Sequence, residues 1–145
     1  MKQARRLFAA CALVAMGTVA SAEGETHKVA VHVDSSDLHV MNMALNNVAN
    51  LQSYYAEQGD EVTVEVVTYG PGLTMLTAGS PVAARISTMS LEADDLTFSA
   101  CANTMAGMEK KTGQKQRLLD EAQIVPSGVV RLIELQEDGY AYVRP

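Results

Sequence analysis

Short β-branched runs alternate with helix-length segments along this chain, and that alternation restricts its fold more than any other feature. "HKVAVHV" sets Val29, Val31 and Val33 at the period of a strand, and "DSSD", Asp34 to Asp37, ends it with residues that cap helices. Met41, Ala44, Leu45, Val48, Leu51 and Tyr55 then recur at helical spacing up to a stop at Gly59. "EVTVEVVTYG" reads as a second strand, and "PGLTMLTAGSPVAARISTMS" as one or two short helices broken near Gly79 and Pro81. "DDLTFSAC" gives a third strand, followed by a helix over "ANTMAGMEKKTG" that ends near Gly113. "IVPSGVVRLIELQEDG" reads as a helix with Ser127 near its start and Gly139 beyond its end, and "YAYV", Tyr140 to Val143, as a last short strand. Strands separated by helices must run parallel and be covered on both faces. The expectation is an α/β fold, a three-layer α/β/α sandwich with a mostly parallel sheet of about five strands. No internal repeat, low-complexity segment or linker interrupts it.

The first residues follow a different logic. Lys2, Arg5 and Arg6 precede the uncharged run "LFAACALVAMGTVA", and Ala20-Ser21-Ala22 has the small-x-small form of a signal-peptidase site. The apolar run is short for a membrane span, which takes roughly 20 residues. Residues 1–22 are therefore expected to be a cleaved signal peptide, with 23–145 a single domain secreted to the periplasm. An uncleaved anchor is the alternative. A lipoprotein reading with Cys11 as the lipidated residue fits poorly, because it leaves only about four apolar residues before the cut.

Cleavage also removes Cys11, and the domain keeps one thiol, Cys101. A single thiol in an oxidising compartment has no internal disulfide partner, and it is either buried and inert or reactive. Loss of three cations leaves 8 basic against 17 acidic residues, a net charge near −9. No basic face of the kind that binds a phosphate backbone is expected, which excludes nucleic acid as a partner.

Ligand sites in parallel α/β sheets gather at the carboxyl ends of the strands. Those ends carry Asp34, then Tyr69, Gly70 and Gly72 in "YGPG", and then Cys101 with Asn103 and Thr104. A helix beginning near Asn103 directs its free N–H groups and dipole at Cys101, which favours thiolate over thiol. A thiolate there is a nucleophile that can hold a sulfur atom as a persulfide, with hydrogen bonds from Asn103 and Thr104. The opposing reading treats Cys101 as a small buried hydrophobe. With no CxxC, dithiol exchange within the chain is excluded, so disulfide or persulfide chemistry requires a partner.

Other residues carry weaker signals. His39, Met41 and Met43 lie close in sequence to one another and offer soft ligands for Cu(I), but Met41 and Met43 point to different helix faces. His32 is read as a strand residue that packs, and Asp34 as a helix cap or a group that orients a substrate. "YGPGL" matches neither a phosphate-binding loop nor a dinucleotide fingerprint, and the sequence predicts no cofactor and no metal site. Leu38 to Ala56 and Leu96 to Met108 contain no charged residue. Interfaces deplete charge whereas solvated faces carry it, which predicts a homo-oligomer.

"HKVAVHVDSSD", "VVTYGPGLTML", "LTFSACANTM" and "VPSGVVRLIELQEDGYAYVRP" together resemble the DsrE/DsrF-like family of sulfur-relay proteins, in its exported single-domain branch. The resemblance covers about Thr26 to Pro145. It implies an α/β/α sandwich assembled as a trimer or hexamer. It also implies that Cys101, at the position after the strand where many members have a cysteine, carries sulfur as a persulfide between a donor and an acceptor. An oligomeric binding module without chemistry is the alternative, and a copper protein a distant third.

Overall fold

The computed structural model describes residues 24–145; the expected signal peptide, with Cys11, lies outside the described residues. Five strands form one sheet in the order β4-β3-β2-β1-β5: β1 (Thr26–Val33), β2 (Glu61–Thr68), β3 (Leu96–Cys101), β4 (Ala122–Val125) and β5 (Ala141–Val143). Every pairing is parallel. Helices α1 (Leu38–Gln58), α2 (Ala83–Glu92) and α3 (Ala102–Thr112) follow β1, β2 and β3, and a 3-10 helix, Gly70–Leu76, precedes α2. The last helix, α4 (Gly128–Glu137), carries the chain from edge strand β4 across the sheet to β5, beside β1.

The valine alternation decides which face goes where. Val29, Val31 and Val33 of β1, Val62, Val64 and Val66 of β2, and Leu96, Phe98 and Ala100 of β3 share the larger core with Met41, Leu45 and Val48 of α1. Asp37 caps α1 by accepting from the His39 N–H at 2.7 Å, and Gly59 ends it in the left-handed conformation at φ 79°. Gly72 lies against the Val33 carbonyl where a Cβ would collide, so this glycine pins the 3-10 helix to the end of β1.

The intervening residues face α4, and this side is built differently. Its apolar cluster is small: Ala30 and Val67 under Leu132 and Leu135. Beside it lies a charged pair. Arg131 donates from Nε to Glu65 Oε1 at 2.8 Å and from an η nitrogen to Oε2 at 2.7 Å. Ser99 donates to the same carboxylate at 2.6 Å, and Gln123 donates to Ser99 at 2.9 Å. A fork of this kind fixes the helix in direction and register, which four small contacts alone do not.

Two boundaries differ from the sequence reading. β4 takes Ala122–Val125, so Ile124 and Val125 belong to a strand and α4 begins only at Gly128. The strand is four residues long, at the sheet edge, with Gln123 and Ile124 exposed, so it lacks the alternation that marks a half-buried strand. Pro126 then blocks a helix from starting earlier.

Arg131→Met leaves the Glu65 carboxylate, 5% exposed, without its cation. The expected loss is about 3 kcal/mol in denaturant unfolding, the low end for breaking a buried pair, since Arg131 remains partly solvated. Combining it with Glu65→Met removes the orphan charge and should recover most of that loss.

Candidate active site

Cys101 ends β3 and is also the N-cap of α3, so its sulfur faces the free N–H groups of the first helical turn. The Thr104 N–H donates to Sγ at 3.4 Å. The Thr104 hydroxyl accepts from the Gly70 N–H at 2.9 Å, which leaves its own proton free to turn to the sulfur, and this hydroxyl helps lower the thiol's pKa. A second helix contributes from the other side: the Gly128 N–H, at the start of α4, lies close to the thiol and helps lower its pKa. The two starts are tied together by the Asn103 N–H, which donates to the Pro126 carbonyl at 3.3 Å and lies beside the sulfur.

This approach requires a glycine. A Cβ at Gly128 would sit 2.9 Å from both Cβ and Cδ1 of Tyr69 and 3.3 Å from the Cβ of Cys101. Tyr69 therefore touches α4 directly, with only hydrogen between them. Nothing in the sequence reading assigned Gly128; its signal is a glycine at the first position of a helix, where the side chains of longer residues normally fit.

The sequence posed burial and reactivity as alternatives for Cys101, and the structure combines them. The residue is 4% exposed, and burial alone raises the thiol's pKa. Donors from the Thr104 hydroxyl and from the Gly128, Thr104 and Asn103 N–H groups act in the opposite sense, and the net shift is downward from 9.0. A buried thiol whose ionisation is eased by surrounding donors is a prepared nucleophile.

Beyond Tyr69, two strands from Cys101 at the carboxyl end of β1, stands His32, which the sequence predicts to pack. His32 is 5% exposed and stacks on Tyr69 with ring centroids 4.6 Å apart. Its Nδ1 is 2.7 Å from the Tyr142 hydroxyl. Burial lowers its pKa more than Asp34 raises it, with Arg144 adding to the lowering, so the imidazole is neutral near pH 7. When Tyr142 donates to Nδ1, the ring proton sits on Nε2, which is buried and has no partner. Burial and the Asp34 carboxylate also raise the pKa of Tyr69.

Asp34 does not stand free at the strand end, because one Arg144 nitrogen donates to both its oxygens, at 2.8 and 3.0 Å. The closing "YAYVRP" thus supplies Tyr142 to His32 and Arg144 to Asp34. The N–H groups of "YGPG" are engaged within the chain: Gly70 donates to Thr104, and Gly72 donates to the Tyr69 carbonyl at 3.1 Å. Asn103 acts through its backbone; its side chain is exposed. The proposed soft-metal set is not assembled. Met41 is 1% exposed in the core of α1 while His39 is exposed, and no cluster of three or more His, Cys, Asp or Glu residues suited to a metal occurs among the described residues.

The family model that matches this chain is the DsrE/DsrF-like family, over residues 27–145. No curated protein matches it. Among solved structures, the protein of unknown function MTH1491 from Methanobacterium thermoautotrophicum superposes with a TM-score of 0.70 at 28% identity, covering 82% of this chain and 99% of that one.

The alkylation rate of Cys101 by iodoacetamide is expected to titrate with a midpoint below 9.0. A lowered folded pKa contributes stability that is fully present above the unfolded value near 9.0 and lost as pH falls through the folded midpoint. The wild type should therefore gain stability over Cys101→Ser as pH rises through that window. Gly128→Ala, which forces the start of α4 away from the sulfur, should move the alkylation midpoint upward; an unchanged midpoint would show that the Gly128 N–H contributes nothing.

Proposed function

Because this chain belongs to the DsrE/DsrF-like family, we propose that it is a sulfur-relay protein that carries sulfur as a persulfide on Cys101. The observation that carries this reading is the convergence of the α3 and α4 starts on one buried sulfur. Those donors stabilise a thiolate, and they serve equally well for the anion of a bound persulfide. Disulfide exchange proceeds by thiolate attack on a sulfur, and the attacking group is the one the site stabilises.

The sequence of residues 1–22 supports export to the periplasm. No helix of the described residues is long and apolar enough to cross a membrane. A homo-oligomer, trimer or hexamer, is part of the same reading. Ile124 on β4 and Val129, Val130 and Ile133 on α4 are all exposed, at 48% or more. On α1, Asn42 and Asn46 are occupied by Arg85 of α2, whose nitrogens reach their side-chain oxygens at 3.1 and 2.6 Å. Beyond them, Asn50, Ser53, Tyr54 and Ala56 are exposed and uncharged. These exposed apolar residues also favour a second reading, an oligomeric binding module in which Cys101 does no chemistry.

Incubation with inorganic polysulfide followed by intact mass measurement separates the two. The carrier gains the mass of whole sulfur atoms, Cys101→Ser gains none, and dithiothreitol removes the adduct. An unmodified wild-type mass leaves the binding module. Light scattering should find more than one copy per particle at micromolar concentration, with Ile133→Asp reducing it.

A further inference from the structure

A cleft of about 490 Å³ opens between the 3-10 helix and α3. Pro71 and Thr74 form one wall; Thr104, Gly107, Met108 and Lys111, spaced three and four residues apart, form the helix face opposite. At one end is Thr104, the residue that holds the Cys101 sulfur with both its N–H and its hydroxyl. At the other is Lys111, roughly 10 Å along the helix at 1.5 Å per residue. Lys111 makes no ion pair among the described residues. The floor between them is open, since a Cβ at Gly107 would meet nothing within 4 Å.

We propose that this cleft binds a small organic thiol in its persulfide form, with the sulfur end at Thr104 beside Cys101 and a carboxylate at Lys111. The assignment rests on the sulfur-carrier reading and names its small-molecule partner. Three observations select the occupant. The walls are largely apolar, with one cation at the end far from the thiolate. The separation of the two ends suits a peptide-sized thiol and exceeds what a bare polysulfide spans. The sulfur, 4% exposed, is reached more readily by a small molecule than by a cysteine held on another protein's surface.

The transfer balances without an added oxidant or reductant. The Cys101 thiolate attacks the outer sulfur of R–S–SH and forms a new S–S bond to it. The bond from that sulfur to R–S breaks, its electron pair leaves with R–S⁻, and the proton stays on the transferred sulfur, giving Cys101–S–SH. The reverse step returns sulfur to a thiolate bound in the same cleft.

Glutathione persulfide and inorganic polysulfide serve as paired donors, with loading of Cys101 followed by intact mass. Gly107→Leu fills the floor at an open position and replaces the residue least suited to a helix interior with a good helix former. It should slow loading from glutathione persulfide at least tenfold and leave loading from polysulfide, which has no tail to place, unchanged. Lys111→Gln, at an exposed position, should raise the half-saturating glutathione persulfide concentration severalfold and remove its salt dependence. Equal slowing of both donors, or no slowing of either in both variants, overturns the proposal while leaving Cys101 a carrier. Failure of the unsubstituted protein to load from either donor overturns the carrier reading and this one with it. Should Gly107→Leu melt early, the Lys111→Gln comparison decides alone.

Discussion

The contact on which the site depends is the one between Gly128 and the pair Tyr69 and Cys101. It brings the start of α4 against the end of β3, so that two helices, from opposite faces of the sheet, direct N–H groups at one sulfur. One helix start is common in α/β folds, because each strand-to-helix turn makes one. The second requires α4 to cross from β4 to β5 at a height above the sheet that no side chain at position 128 permits. What holds α4 at that height is modest in apolar terms, two leucines on Ala30 and Val67. The fork from Arg131 to Glu65 supplies the rest. A charge buried under a helix is an expensive way to add stability, since desolvation offsets much of the attraction. Its directional geometry accounts for its place here, because a helix sliding by one residue would lose both the fork and the approach of Gly128.

Burial and ionisation oppose each other at Cys101. A thiol removed from water resists losing its proton, and an unsupported buried thiol would be inert. Four donors reverse that preference, and three of them are backbone groups fixed by helix geometry, with no side-chain entropy left to lose. The fourth, the Thr104 hydroxyl, is oriented by accepting from Gly70. The 3-10 helix therefore acts on the thiol without touching it: the left-handed turn at Gly70, φ 54°, aims an N–H at Thr104, and Thr104 aims its proton at the sulfur.

Much of this was legible in the chain. The alternation of Val29, Val31 and Val33 and the helical spacing from Met41 to Tyr55 encode a parallel sheet covered on both sides, and the position of Cys101 after a strand and before a helix encodes the first half of its environment. The rest was hidden for physical reasons. β4 is short and exposed on an edge, so its four residues carry no period, and Ile124 and Val125 blended into the helix behind them. His32 continues a valine strand and reads as packing; its meaning comes from Tyr142, 110 positions later, brought beside it by the β1 and β5 pairing. Arg144 and Asp34 are separated by the same interval. Gly128 shows locally only as a glycine at the start of a helix, and that Tyr69 demands it there is not readable until the sheet order is known.

The sheet order also explains why the polar groups collect on one side of the thiol. Because β5 joins the sheet beside β1, not beyond β4, the chain's last residues return to the strand ends where β1 and β2 terminate. Tyr142, His32, Tyr69 and Cys101 then form a row across β5, β1, the end of β2 and β3 on the α4 face. Neighbouring strands are about 4.8 Å apart, so His32 stands roughly 10 Å from Cys101, too far to take its proton directly. The thiol's pKa is accordingly lowered by the donors around it without a base, and the neutral imidazole with its unpartnered Nε2 is left over from that task. Lys111, in the last turn of α3 and ten residues along from Cys101, is roughly 15 Å away on the other side of the sheet. The sulfur thus sits between a neutral polar row on the α4 side and a cation-tipped cleft on the α3 side, and only the second offers a charge to an incoming anion.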